Sequence, residues 1–327
     1  MILVTGGAGY VGSHFVLTYL ARNPHAEVVV VDNFAEGHKE ALPSSDRVRI
    51  VPEDIGDREA MRTVIAQFPI TAVVHFAAFC YVGESQAKPA KYFHNNVVNT
   101  MSLLSVMEEL GVKKFVFSSS CATYGKPVSV PIDESHVQDP INVYGTTKLM
   151  TEQALRSLVS ASGWSFVALR YFNAAGADDS GRIGESHDPE THIIPLALQT
   201  AAGKREFVEV YGDDYDTADG TCIRDYIHVN DLAIAHCQAL ERVDSPQIQD
   251  AVNLGTTHGA SVQEVIAMCK QVSGRDIPVR VAPRRPGDPS VLVAANEKAR
   301  SLLGWEPTYD LRRIIETAWR WEQNRRY

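Results

Sequence analysis

The stretch Thr5-Gly6-Gly7-Ala8-Gly9-Tyr10-Val11-Gly12-Ser13-His14 most narrows the folds open to this chain. It follows a short apolar run, Ile2-Leu3-Val4, and opens a helical pattern through Phe15, Val16 and Leu20 that stops near Asn23-Pro24. Gly7, Gly9 and Gly12 read GxGxxG, and Gly6, Gly9 and Gly12 read GxxGxxG. Such glycines permit a tight strand-to-helix turn and let a pyrophosphate approach the backbone, where the new helix offers unpaired N–H groups. Glu27-Val28-Val29-Val30-Val31-Asp32 follows, a β-branched run typical of a buried parallel strand, ending in an acid about 20 residues past the glycines. At a strand's carboxyl end Asp32 can accept both hydroxyls of an adenosine ribose, and its charge repels a 2′-phosphate, so NAD is expected over NADP. A glycine turn without a ligand would need neither the flanking elements nor the acid.

The same rhythm continues. Val48-Arg49-Ile50-Val51 reads as a third strand, with Asp54-Ile55 after it, and residues 58–67 as a helix. Ala72-Val73-Val74-His75-Phe76 is a fourth strand opening into Ala77-Ala78, whose small side chains would let a dinucleotide pass. His75, inside an apolar strand, reads as a satisfied core histidine rather than a catalyst. Residues 92–110 read as one long helix carrying Asn95 and Asn99. Residues 113–120 form a fifth strand ending in Ser118-Ser119-Ser120, 143–161 a second long helix, and 165–170 a sixth strand. The alternation predicts an α/β fold, a doubly wound parallel sheet of the Rossmann type, with all strand carboxyl ends on one ligand-binding edge.

After residue 172 the character changes. Residues 174–190 are loop-like and rich in Gly and Asp, and shorter elements follow. Strands are expected at 207–211, 225–229, 251–254 and 279–281, and helices after Pro195 and at 231–242, 261–273 and 311–323. The reading is a dinucleotide-binding domain over residues 1–172 and a smaller α/β substrate domain over 173–327, with the helix at 231–242 docking back on the first.

Composition limits the partners. With 327 residues, 45% of them hydrophobic, the chain can build a sizeable core. Its net charge of −9, without long runs of one sign, argues against nucleic acid or an anionic membrane surface. No apolar run approaches the ~20 residues of a membrane span. Met1 leads directly into the first strand, leaving no room for a signal peptide. Cys80, Cys121, Cys222, Cys237 and Cys269 form no CxxC pair and suggest a reduced, cytoplasmic protein. The histidines show no HxxxH or HxH spacing, so no metal site is expected.

Tyr144-Gly145-Thr146-Thr147-Lys148 sets a tyrosine and a lysine at i and i+4, on one helical face. An ammonium beside a phenol favours the phenolate and should lower its pKa, giving a general base usable near neutral pH. Ser120, at the end of the fifth strand, lies on the same sheet edge and can bond the substrate oxygen that gains or loses the proton.

Taken with His75-Phe76-Ala77-Ala78, Val82-Gly83-Glu84-Ser85, Arg170-Tyr171-Phe172-Asn173-Ala174-Ala175-Gly176, Tyr211-Gly212-Asp213-Asp214-Tyr215, Arg224-Asp225-Tyr226-Ile227-His228-Val229 and Arg284-Arg285-Pro286-Gly287-Asp288, the chain resembles the extended short-chain dehydrogenase/reductases. Within them it is similar to the 4-epimerases of UDP-sugars, from Met1 to beyond Trp305. The resemblance implies a resident NAD and interconversion of UDP-galactose and UDP-glucose through a transient 4-keto sugar, with Tyr144 as base, Lys148 beside it and Ser120 steadying the 4-oxygen. It implies NAD contacts from Gly6, Gly9, Tyr10, Val11, Gly12, Asp32, Asn33, Asp54, Ile55, Phe76, Ala77, Ala78, Cys80, Asn95, Tyr144, Lys148 and Phe172. For the UDP-sugar it implies Ser120, Tyr144, Asn173, His192, Ile193, Val210, Tyr211, Arg224, Arg285, Asp288 and Leu292. Related dehydratases and decarboxylases place carboxylates after the fifth strand. Here Ser120-Cys121-Ala122-Thr123-Tyr124-Gly125 has none, which favours simple epimerisation.

Two departures stand out. Many relatives carry a lysine where this chain has Cys80, so looser retention of NAD is expected. Some carry a tyrosine where this chain has Leu292, so N-acetylated sugars are a candidate substrate. Epimerisation of UDP-xylose/UDP-arabinose or UDP-N-acetylhexosamines is thus the nearest alternative. A non-catalytic NAD-binding regulator is a remote one, since it would have no need of Tyr144, Lys148 and Ser120 together. Apolar positions on more than one face of the helices at 92–110 and 143–161 point to a homodimer.

Overall fold

The computed structural model describes residues 1–245, 248–285 and 287–327. Pro286, within the expected arginine-rich run, lies outside the described residues. Six parallel strands build the main sheet: β1 (Ile2–Thr5), β2 (Val28–Val31), β3 (Val48–Val51), β4 (Ala72–His75), β5 (Lys114–Ser120) and β6 (Ser165–Tyr171). Their order across the sheet is β6-β5-β4-β1-β2-β3, reversing direction at β1 and β4. In register, Leu3 faces Val29 and Val73, while Val4 faces Val30 and Val74.

Strand parity assigns each side its core. Val4, Val28, Val30, Val74 and Val116 pack with Phe15, Val16 and Leu20 of the first helix (Tyr10–Arg22). Leu3, Val29, Val31, Val73, Phe115 and Phe117 pack on the other side with Met61, Leu103, Met107 and Leu155. Those four come from the helices Arg58–Gln67, Asn99–Glu109 and Val143–Ser162. Burial on both faces explains why the strands read as unbroken apolar runs.

The chain re-enters this layer after leaving it. Leu232, Ala233, Ala235 and Ala239 of the helix Val229–Arg242 join the core around Phe15. The strand Gln249–Leu254 then becomes β7, a seventh strand at the sheet edge, pairing Val252 with Leu169 of β6. A third core lies outside the sheet, where the helices Ile193–Ala201, Val262–Ser273 and Leu311–Asn324 pack around Val208 and Val210. A short helix, Glu297–Leu303, has no counterpart among the sequence expectations.

The expected helix at 92–110 is broken. Pro89–Tyr92 is α-helical, Phe93–Val98 forms a π-helical turn, and the α-helix resumes at Asn99–Glu109. The wider turn changes which side chains face inward, and π-turns often occur at functional sites. Here buried Asn96 accepts from the Phe79 N–H at 2.9 Å and donates to its carbonyl at 3.0 Å. It thereby fixes the loop after β4.

Four histidines are buried in neutral form. Burial drives His14 and His236 down to about 4, and His75 and His228 down to about 3. His75 is satisfied by Thr5 and Thr100 hydroxyls at 2.7 and 3.2 Å. In the unfolded chain each would take a proton near its ordinary pKa of about 6.5, so acid favours unfolding. Below that pH each histidine removes about 1.4 kcal/mol per pH unit until its folded pKa is reached. Melting temperature should therefore fall steeply from pH 6.5 to 5. A flat profile over that range, measured by circular dichroism, would contradict this account.

Candidate active site

The strand carboxyl ends open into one cleft of about 1440 Å³. This exceeds the usual ~300–1,000 Å³ of a single small-ligand pocket and suits two nucleotides end to end. Its floor is the glycine turn. Gly6 has φ +68°, and a Cβ there would lie 2.4 Å from the Ala77 nitrogen. A Cβ on Gly12 would lie 2.3 Å from the Gly6 carbonyl oxygen. These glycines let the turn, the helix start and the β4 loop touch backbone to backbone. Asp32, 8% exposed, accepts from the Ala8 N–H and the Phe34 N–H, both at 2.9 Å. Two backbone bonds leave carboxylate lone pairs open to the cleft. Asn33 donates to Asp54 at 2.8 Å, and Asp54 also accepts from Gly56 and Asn99, fixing the wall beside Ile55.

The helix Val143–Ser162 brings the tyrosine–lysine pair to this floor. Asn142 caps it, accepting from the Gly145 N–H at 2.8 Å. A Cβ on Gly145 would meet the Ala122 carbonyl oxygen at 2.3 Å, so glycine at this position lets the helix start dock on the end of β5. Tyr144 donates its backbone N–H to Ser85 at 3.2 Å. Lys148, 4% exposed, donates to the Ser118 carbonyl at 2.8 Å, with Nζ 5.7 Å from the centre of the Tyr144 ring. The three strand-end serines are committed differently. Ser118 shares a bond with the Tyr171 hydroxyl, and Ser119 donates to Glu152. Ser120 accepts from the Ala122 N–H at 3.1 Å, which leaves its own proton to donate.

The pair's electrostatics differ from the sequence expectation. Tyr144 is held well above its ordinary value, chiefly by burial, with Tyr171 and Cys80 adding to the rise and the Ser120 hydroxyl opposing it. Burial lowers Lys148 to about 8. Desolvation of the phenolate, not the lysine, thus sets the direction of the shift.

Most other expected residues also line the cleft: Gly9, Tyr10, Val11, Phe76, Ala77, Ala78, Cys80, Asn95 and Phe172 on one side, and Asn173, His192, Ile193, Tyr211, Arg224, Arg285, Asp288 and Leu292 on the other. Val210 is the exception. Strand alternation turns it into the third core at 3% exposure, so its side chain faces away while Tyr211 faces the cleft. Arg224 is ion-paired with Asp288 at 2.5 Å, and the Arg285 guanidinium lies 4.1 Å over the Tyr211 ring.

A family model described as the NAD dependent epimerase/dehydratase family matches residues 2–255. The chain belongs to this family. A UDP-glucose 4-epimerase of Halalkalibacterium halodurans is 51% identical over 98% of this chain and 95% of its own. Among solved structures, UDP-glucose 4-epimerase from Brucella ovis in complex with NAD is 47% identical, with TM-score 0.92 and 97% of both chains covered. The enzyme from Bifidobacterium longum in complex with NAD+ and UDP is 39% identical, with TM-score 0.93 over 99% of this chain and 98% of that one.

NAD is the cofactor of this epimerase/dehydratase family, and the residues here fit it. The bare glycine turn admits a pyrophosphate, the free lone pairs of Asp32 suit a ribose diol, and the cleft has the volume. Sequence reasoning missed Asn96, Glu36, Tyr81, Glu185, His187 and Glu190, of which Glu36, Tyr81, Glu185 and His187 line the cleft. Asn95 and Asn99 look the more prominent on a regular helix, and only the π-turn brings Asn96 inward. The loop at 177–192 had no periodicity to read.

Proposed function

We propose that this protein is an NAD-dependent UDP-glucose 4-epimerase, interconverting UDP-galactose and UDP-glucose. The observation that carries the reading is the convergence of Tyr144, Lys148 and Ser120 with the glycine turn and Asp32 on one cleft of two-nucleotide size. Gly9, Tyr10, Val11 and Gly12 hold the NAD pyrophosphate at the helix N-terminus, Asp32 and Asn33 hold the adenosine ribose, and Asp54 and Ile55 flank the adenine. Phe76, Ala77, Ala78, Cys80, Asn95 and Phe172 line the rest of the path. Bound NAD would supply the carbon that accepts and returns a hydride, and its oxidised ring a positive charge that favours the phenolate.

The protein groups handle the proton. Tyr144 Oη removes it from the sugar 4-hydroxyl as the C4–H bond breaks, leaving a 4-keto sugar. Lys148 stabilises the phenolate, and Ser120 donates to the developing carbonyl oxygen. When the keto sugar has presented its opposite face, the same phenol returns the proton and C4 is inverted with no net redox change. Arg224 and Arg285 bind the UDP pyrophosphate, with Asn173, His192, Ile193 and Tyr211 placing the rest of the nucleotide. For Arg224 this requires sharing its guanidinium between Asp288 and phosphate.

The test mixes purified protein with UDP-galactose, adds no cofactor, and follows the anomeric proton by NMR. Appearance of UDP-glucose supports the reading. Silence both without and with added NAD would overturn it. A broader substrate range is favoured by Leu292, an aliphatic cleft residue packed with Tyr124, Ile132 and Phe172. Turnover of UDP-N-acetylglucosamine in the same assay tests that reading, and UDP-xylose tests the pentose alternative.

Cys80 is exposed in the cleft wall and has no charge to offer a phosphate or ribose. Cys80→Lys should slow NAD loss on dialysis, on the order of tenfold if the new cation gains one charge-assisted bond of about 1.4 kcal/mol. Full NAD occupancy of the parent protein after dialysis would refute the premise. The smaller part of the chain, outside Val229–Arg242 and β7, serves as the UDP-sugar lobe. A homodimer forms through the segment 93–109 and the helix Val143–Ser162, where Val98 and Met150 are 54% and 40% exposed. A monomer mass by light scattering at micromolar concentration would exclude it. No helix among the described residues is long and apolar enough to cross a membrane, and five free cysteines fit a cytoplasmic location.

A further inference from the structure

The loop between Ala175 and the helix Ile193–Ala201 gathers Glu185, His187, Glu190 and His192, whose candidate ligand atoms all lie within 4.8 Å of one another. We propose that these four side chains form a binding site for one divalent first-row metal ion of the zinc, cobalt or nickel type, at the rim of the cleft and separate from the catalytic pair.

Geometry carries the argument. The two histidines converge through the same ring nitrogen. His187 Nδ1 lies 3.3 Å from Glu185 and 3.6 Å from Glu190, and His192 Nδ1 lies 2.8 Å and 3.0 Å from the same two carboxylates. A tetrahedral ion with ligands at about 2.0–2.1 Å needs neighbouring ligand atoms ~3.3 Å apart. The four observed separations, which use both oxygens of Glu190, scatter about that edge, and with all candidate ligand atoms within 4.8 Å of one another a central ion would draw them together. His187 Nδ1 is buried and makes no hydrogen bond, despite two carboxylates within reach. Its direction suits a shared central ion better than a proton given to either neighbour. Two imidazoles and two carboxylates form a nitrogen and oxygen set appropriate to these metals, and the two negative charges balance the dication.

The site is held from outside as metal sites usually are. Trp321 Nε1 donates to the Glu185 carbonyl at 2.8 Å, and Arg325 donates to the Ser186 hydroxyl at 2.7 Å. Tyr10 and Tyr81 flank the His187 ring edge-on, with centroids 6.2 and 5.8 Å away. Glu185 and Ser186 are buried, so the C-terminal segment clamps the loop in position. The spacing Glu-x-His-x-x-Glu-x-His is neither a helical nor a strand period, so the sequence alone carries no sign of it.

The test titrates the full-length protein with cobalt(II) alone. One equivalent should produce the intense visible bands of a tetrahedral centre, and zinc(II) should bleach them. His187→Ala and the near-isosteric Glu190→Gln should each weaken binding by at least about tenfold. X-ray absorption at the zinc edge of the parent protein gives a check that needs no variant, and should show four nitrogen or oxygen ligands, two of them imidazole. A pale six-coordinate cobalt spectrum, fewer than two imidazoles, or equal affinity in parent and variants would overturn the proposal.

Discussion

Tyr144→Phe is expected to lower turnover of UDP-galactose by about a thousandfold while leaving bound NAD in place, because positioned general acid–base groups contribute ~10²–10⁴. The change removes one oxygen and keeps the ring, which is buried at 8% exposure. The backbone at Tyr144 is fixed independently of that oxygen, by Ser85 on its N–H and by the Thr147 hydroxyl on its carbonyl. Asn142 still caps the helix and Lys148 still bonds Ser118, so fold and cofactor pocket survive. Only proton transfer is lost. The measurement is kcat by coupled assay together with NAD content by absorbance of the denatured protein. Activity within tenfold of the parent would remove Tyr144 from the role of base. Loss of NAD along with activity would mean that the tyrosine acts through cofactor binding instead.

The fold was legible wherever burial on both faces of the sheet forced a local signature. Val28–Val31 and Ala72–His75 are fully buried strands, and their unbroken β-branched runs follow from that. The glycine turn was legible because backbone contacts at Gly6 and Gly12 exclude any other residue. Tyr144 and Lys148 share one helix, so their spacing alone placed them together. Asn96 was hidden because a π-turn departs from the 3.6-residue period by which helix faces are read. The resemblance implies both Val210 and Tyr211, but neighbours on a strand face opposite ways and only Tyr211 lines the cleft. The spacing of Tyr144 and Lys148 predicts a lowered phenol pKa. That expectation ignored depth: the desolvation that decides the direction depends on the whole fold and is not written in two residues. The cluster at 185–192 depends likewise on the C-terminal helix holding an irregular loop.

Arg170→Met is expected to destabilise the protein by about 3–5 kcal/mol, because it strands a buried carboxylate. Arg170 and Glu152 have side chains only 1% and 0% exposed. Glu152 accepts from Arg170 Nε at 2.9 Å and Nη2 at 2.5 Å, and from the Ser119 hydroxyl at 2.7 Å. Arg170 Nη1 donates to Tyr124 at 2.8 Å, Tyr124 donates to Asn253 at 2.6 Å, and Asn253 donates to the Ile132 carbonyl at 2.9 Å. One polar chain therefore ties β5, β6, β7 and the helix of Tyr144 together beneath the catalytic residues. Removing the guanidinium leaves a carboxylate in the core with the Ser119 hydroxyl, the Gln138 amide at 3.4 Å and, at 3.3 Å, the half-exposed Arg156. Removing both members of the pair abolishes the stranded charge. The double variant Arg170→Met/Glu152→Met should thus be more stable than Arg170→Met alone, as buried pairs replaced by apolar groups often are. Chemical denaturation of the two variants decides between this account and simple loss of packing. Packing loss would make the double variant the weaker one. The ordering also bears on chemistry, because Ser119 is the residue before Ser120. A variant that frees Ser119 from Glu152 loosens the strand end from which Ser120 must reach the sugar oxygen. The stabler double variant should therefore still fall short of the parent in turnover per folded molecule.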